Sequence, residues 1–88
     1  MQIREELRQL GWSVLDIANL GNGAPDLLIL AHGSLWLVEV KSPGGTLSGD
    51  QVEFAGRWPV IVAHTTEEVV KAVDLAALGV RHEPKVLP

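Results

Sequence analysis

The chain has 88 residues, 47% of them hydrophobic, with seven basic against eleven acidic side chains and a net charge of −4. That length bounds it to one small domain, a size that buries only about 60–65% of its unfolded surface, so a rich core or a partner must supply stability. Without cysteine there are no disulfides and no thiolate metal sites, and no stretch reaches the ~18 to 20 apolar residues of a membrane span. The N-terminus carries no basic region leading into an apolar run, so a cytoplasmic protein is expected. The acidic balance counts against tight nucleic-acid binding, which phosphate contacts normally dominate. Arg4, Arg8, Arg57 and Lys71 are the residues expected to form a local basic surface.

Ile3, Leu7 and Leu10 recur at helical spacing with Arg4, Glu5, Glu6 and Arg8 between them, which predicts a short amphipathic helix over residues 2 to 10, ended by Gly11. Trp12 to Ile17 is the first predicted strand, with Trp12, Val14 and Asp16 on one face. Asn19 to Gly23 is a turn: it lacks the Lys-Ser/Thr ending of a phosphate loop and opens no helix.

The runs Leu27 to Ala31 and Leu35 to Val40 flank His32-Gly33, a pair suited to the positive φ values of a tight hairpin. With those two residues as the loop, Ala31 pairs with Ser34 and Asp26 falls opposite Glu39. Asp26, Leu28 and Leu30 then share a face with Leu35, Leu37, Glu39 and Lys41. Two facing carboxylates about 5 Å apart repel by roughly 3 kcal/mol at an effective dielectric near 20. A hard divalent cation, Mg²⁺ or Mn²⁺, would offset that repulsion through the Asp26 and Glu39 oxygens. Lys41, the next residue on that face, would be placed to orient a water or to stabilise phosphoryl charge. The plainer reading is a salt bridge at a frayed strand end. Trp36, Val38 and Val40 make the other face of this strand wholly apolar, which predicts a central strand covered on both sides.

Ser42 to Gly49, containing Pro43-Gly44-Gly45, reads as a loop. Ser48-x-x-Gln51 spells a capping box, so the second helix is predicted from Ser48 to about Arg57. Pro59 precedes the β-branched strand Val60 to Ala63, and the roughly eighteen residues between it and Lys41 suit a right-handed crossover joining parallel strands. His64 reads as a surface residue. Thr65-x-x-Glu68 opens a third helix with Val69, Val70, Val73, Ala76 and Ala77 on one face and Gly79 beyond its end. The tail Val80 to Pro88 reads as extended, a segment that could dock on a partner.

Gly23-Ala24-Pro25-Asp26, then Glu39-Val40-Lys41, then Leu47-Ser48-Gly49-Asp50-Gln51, resembles the VRR-NUC branch of the PD-(D/E)XK nuclease superfamily over roughly Leu7 to Val70. The resemblance implies one α/β domain over 1–88 with an αβββαβ restriction-endonuclease-like core, a small mixed sheet flanked by helices, followed by the C-terminal helix and tail. It implies Mg²⁺- or Mn²⁺-dependent hydrolysis of DNA phosphodiesters by a homodimer, including branched DNA such as Holliday junctions. It further implies a metal held by Asp26, Glu39 and the Val40 carbonyl, with Lys41 and Gln51 completing the catalytic set; Gln51 is at the same time accounted for by the cap alone. In that pattern the first helix carries an acid near the metal, and here Gln2 holds the place; Glu5 and Glu6 read first as solvated helix charges and only second as substitutes, and the arginine often found near the end of the last strand is absent. The same residues admit two other readings: a nuclease-fold module that binds DNA or dimerises without turnover, and an unrelated α/β interaction domain in which Asp26, Glu39 and Lys41 form only an ion network.

Overall fold

A computed structural model describes residues 2–79, so the expectation for the tail from Val80 onward lies outside the described residues. In chain order the elements are α1 (Gln2–Gln9), β1 (Ser13–Asp16), a 3₁₀ turn (Ala18–Leu20), β2 (Leu27–Ala31), β3 (Ser34–Val40), α2 (Gly49–Arg57), β4 (Val60–Ala63) and α3 (Thr66–Gly79). The strands form one sheet in the order β1-β2-β3-β4. β1, β2 and β3 are antiparallel neighbours, while β4 runs parallel to β3 after the α2 crossover.

Local chemistry fixes the ends of these elements. The Gly11 N–H donates to the Arg8 carbonyl and the Trp12 N–H to the Leu7 carbonyl, with Gly11 at φ 91°, a Schellman arrangement that ends α1. Between β2 and β3, His32 and Gly33 both take positive φ, 54° and 72°, giving the type I′ turn whose twist matches the strands it joins. Ala31 pairs with Ser34, and that register carries through to Leu27 opposite Val38. At the start of α2 both halves of the capping box form around Ser48 and Gln51. The box at α3 forms only half: the Glu68 N–H donates to Thr65 Oγ1, but the Glu68 carboxylate turns back to the His64 N–H at 2.9 Å. α3 also runs one residue further than expected and includes Gly79.

Strand alternation sends Val14, Leu27, Ile29, Ala31, Val38 and Ala63 to one face of the sheet, where they are buried against Leu7 of α1 and Val69 and Val73 of α3. Each of the larger side chains in this core stabilises the fold by roughly 1.5–3 kcal/mol. Trp36 lies beside the core, partly buried, and its indole N–H donates to the Ala31 carbonyl at 2.8 Å, so the ring enters without stranding its polar edge. Two expectations are corrected. β3 is an interior strand, but the face that bears Leu35 and Glu39 is covered only at the Glu39 end, by α2: Leu35 is 66% exposed, and Leu15, Leu30 and Val62 on the same face are also exposed. Both helices that pack broadly on the sheet lie on the opposite side, which leaves this apolar face open. Leu10, placed on the buried stripe of α1 by spacing, falls in the turn after the helix and is exposed. Among the described residues no helix is long and apolar enough to cross a membrane.

Candidate active site

The site forms where the C-terminal end of β3 meets the loop entering β2 and the first turn of α2. Pro25 is fully buried just before Asp26. Gly23 is pressed so closely against α2 that a Cβ there would lie 2.1 Å from the Asp50 carbonyl oxygen; its φ of 80° also favours glycine. This contact pins the loop between sheet and helix. The β2–β3 ladder stops at Leu27 and Val38, and Asp26 extends the contact with its side chain: Oδ2 accepts the Val40 N–H at 2.8 Å, while the Asp26 carbonyl accepts the Ile17 N–H at 2.8 Å. A carboxylate bonded to a backbone N–H has a fixed position, as a ligand or a charge-stabilising group requires.

Glu39 is 4% exposed, the one buried acid among the described residues. Its Oε2 accepts from Gln51 Nε2 at 3.1 Å and lies 3.6 Å from the Lys41 ammonium. Its Oε1 is buried with no hydrogen-bond partner. Burial, and then the neighbouring Asp26 carboxylate, hold the Glu39 carboxyl above its ordinary range, with Lys41 pulling the other way. The two acids therefore act on each other at close range, as the hairpin count requires. A buried carboxylate oxygen without a donor, beside a second acid, suits a hard cation: ligand oxygens on an ion need no protons.

Gln51 serves two structures at once. Its Oε1 accepts the Ser48 N–H at 2.9 Å and its backbone N–H donates to Ser48 Oγ at 3.3 Å, while its Nε2 reaches Glu39. Glutamate would cap the helix equally well but could not donate to Glu39.

The structure adds a residue that spacing did not single out. His64 is half-buried, not a free surface side chain: its Nδ1 lies 2.8 Å from the Lys41 carbonyl, and because a carbonyl only accepts, Nδ1 carries the proton. The Lys41 N–H in turn donates to the Ala63 carbonyl at 2.9 Å. Two successive residues of the β4 end thus hold both backbone groups of Lys41. The parallel pairing of Val40 with Ala63 carries the signal, since one step further sets Lys41 beside His64.

Glu5 and Glu6, the substitutes weighed for the missing acid, are engaged elsewhere. The Glu6 carboxylate accepts from Gln2 Nε2 at 3.3 Å and from the Thr66 hydroxyl, tying α1 to α3. Glu5 lies 3.5 Å from Arg8 and 3.7 Å from Arg4. Among the described residues no group of three or more His, Asp or Glu could hold a metal, so the acids of α1 do not join the Asp26–Glu39 pair. The expected basic surface is corrected as well. Arg4 pairs with Asp16 at 2.9 Å, Arg57 with Glu53 at 3.2 Å, and Arg8 with Glu5 and the Val14 carbonyl. Lys71 lies apart, lining a hollow between α3 and Leu10. Local pairing consumes the positive charge that composition had made available.

No family profile matches the chain, and no curated protein matches it. A solved structure described as a VRR_NUC domain does, with 29% sequence identity, a TM-score of 0.65, and coverage of 82% of this chain and 86% of that one. A four-stranded mixed sheet entered by one helix, crossed by a second and backed by a third, alike over most of both chains, defines an α/β nuclease-fold domain. This likeness supports the VRR-NUC resemblance carried by the sequence motifs.

Proposed function

We propose that the protein is a Mg²⁺- or Mn²⁺-dependent DNA endonuclease, acting in the cytoplasm, that hydrolyses phosphodiester bonds in branched substrates such as Holliday junctions. The observation that carries this reading is Glu39: a buried acid whose Oε1 has no protein donor, with Asp26 close enough to raise its proton affinity. Asp26, Glu39 and the Val40 carbonyl would hold the ion. Bound there, a divalent cation lowers the pKa of an attacking water and polarises the phosphate. Asp26 is kept in place by the Val40 N–H and Glu39 by the Gln51 amide, so neither acid needs to reorganise. Lys41, with its backbone clamped by β4, supplies an ammonium 3.6 Å from Glu39 to orient the nucleophile or offset charge on the phosphoryl oxygens.

Cleavage of plasmid and four-way-junction DNA in Mg²⁺, Mn²⁺ or EDTA tests this directly. Nicking should require metal and disappear in Lys41→Ala and Asp26→Asn; nicking that persists in both variants removes the proposal. A second reading, a nuclease-fold module that binds DNA or pairs with its copy without turnover, is favoured by the engagement of Glu5 and Glu6 away from the site. It predicts metal-dependent thermal stabilisation that needs Asp26 but no cleavage by the unaltered protein. The open sheet face bearing Leu15, Leu30, Leu35 and Val62 supports pairing of two copies, and sedimentation showing only monomer at micromolar concentration would contradict it.

A further inference from the structure

We infer that the hollow beside Phe54 and Trp58, at the C-terminal end of α2, is a nucleobase-stacking subsite, which takes an unpaired base of the DNA strand adjoining the metal-binding acids. The inference rests on the nuclease reading for its ligand and deepens it by naming the substrate class, DNA with unpaired nucleotides. Gln51 and Phe54 lie in α2, and Trp58 is the residue that ends it, in extended conformation with its N–H donating to the Phe54 carbonyl at 2.9 Å. Gln51, at one end, bonds to Glu39. Trp58 follows Arg57, the last residue of α2, which is about 9 Å further along the helix axis, or about three base steps of a stacked strand.

Between them the rings of Phe54 and Trp58 stack, with centroids 5.8 Å apart and planes 19° from parallel. Trp58 is nonetheless 54% exposed, whereas Trp12 and Trp36 pack against the core. An indole with one face on Phe54 keeps its other face for a ligand, and every nucleobase offers a π-face. The rings line an open cavity of about 350 Å³, completed by Asn22, Asp50, Glu53 and Arg57, a size that suits a small ring system.

The polar rim points to a base rather than a phosphate. Asp50 and Glu53 repel phosphate but accept hydrogen bonds from the amino and imino groups of a base edge, Asn22 offers both donor and acceptor, and Arg57 is already paired with Glu53. The same logic answers the charge balance. With a net charge of −4 and Arg4, Arg8 and Arg57 in local ion pairs, stacking is a source of affinity that does not depend on positive charge. Bases inside a duplex have their faces covered, so only unpaired nucleotides can use this platform.

The test is equilibrium binding in EDTA at low salt to a short oligothymidine and to a blunt duplex of the same length, read by fluorescence anisotropy and by tryptophan quenching. The unaltered protein should bind oligothymidine more tightly than duplex, with quenching. Trp58→Ala should weaken oligothymidine binding about tenfold, equivalent to about 1.4 kcal/mol, abolish most of the quenching and leave duplex binding unchanged; Trp58→Phe should recover most of the affinity. No preference for oligothymidine, unchanged affinity in Trp58→Ala, or an equal loss on both DNAs would overturn the inference. Because EDTA removes cleavage from the measurement, a protein that fails to cut DNA in Mg²⁺ but shows this pattern would lose the catalytic reading alone.

Discussion

Replacing Glu39 with glutamine separates what this residue does for the fold from what it does for a metal. In the metal-free protein its carboxylate is buried, one oxygen lacks a partner, and Asp26 stands nearby. An unsatisfied buried acceptor costs about 1–3 kcal/mol, and the partly exposed ion pair with Lys41 returns only about 0–1 kcal/mol. Glutamine keeps an acceptor for Gln51 and turns the bare oxygen into an N–H donor beside Asp26. Glu39→Gln should therefore stabilise the metal-free protein by about 1–2 kcal/mol, a rise in Tm of about 5–15 °C for a domain of this size. The pH dependence follows from the raised carboxyl. Below the ordinary value of 4.5 the acid is protonated in both folded and unfolded chains and its contribution to stability is fully present; as pH rises through the higher folded-state value, that contribution is lost. Metal-free protein should thus lose stability with rising pH in this window, and the variant should lack that component of the slope. Metal reverses the order. At ten times its Kd, Mg²⁺ should stabilise the unaltered protein by about 1.4 kcal/mol and do nothing for Glu39→Gln. Thermal melts in EDTA and across a Mg²⁺ titration, at several pH values, measure both effects. A variant that melts below the unaltered protein in EDTA, or one that keeps the full Mg²⁺ shift, would refute the reasoning.

Gln51→Glu retains the oxygen that caps α2 but replaces the donor facing Glu39 with a third carboxylate, so helix content should persist while cleavage falls and its pH profile moves upward; unchanged cleavage would reduce Gln51 to a capping residue. His64→Ala leaves the Lys41 carbonyl without its donor and should lower kcat about tenfold with little change in KM, a loss of about 1.4 kcal/mol. His64→Asn, which can place an N–H near the Nδ1 position, should restore most of it. Gly23→Ala meets the Asp50 carbonyl at 2.1 Å from a backbone at φ 80°, and urea melts should show a loss of about 3 kcal/mol, by strain at the positive φ and displacement of the loop from α2.

Most of the fold was legible because its signals are local. Period-two apolar runs, the His32-Gly33 turn, Ser48 with Gln51 and the valines of α3 each act within a few residues, and the hairpin register follows from counting once its turn is known. The closeness of Asp26 to Glu39 was readable for the same reason. The errors lie where composition stood in for packing. Apolar residues on both faces of β3 suggested two cover layers, but α1 and α3 share one side, and among the described residues no further helix broadly covers the other. Four basic residues suggested a patch, yet Arg4, Arg8 and Arg57 each pair with a nearby acid.

By itself the sequence determined the elements, their order, the hairpin and the pair of acids at its open end, since these depend on backbone preference and on side chains alternating along a strand. Only the tertiary structure decided that Glu39 has one oxygen without a donor, that His64 holds Lys41, that Glu6 turns to Thr66, and that Phe54 and Trp58 stack beside an open cavity. The reason is physical. Each of these depends on which groups from distant parts of the chain compete for the same hydrogen bond or the same buried space, and that competition exists only once the helices have docked on the sheet.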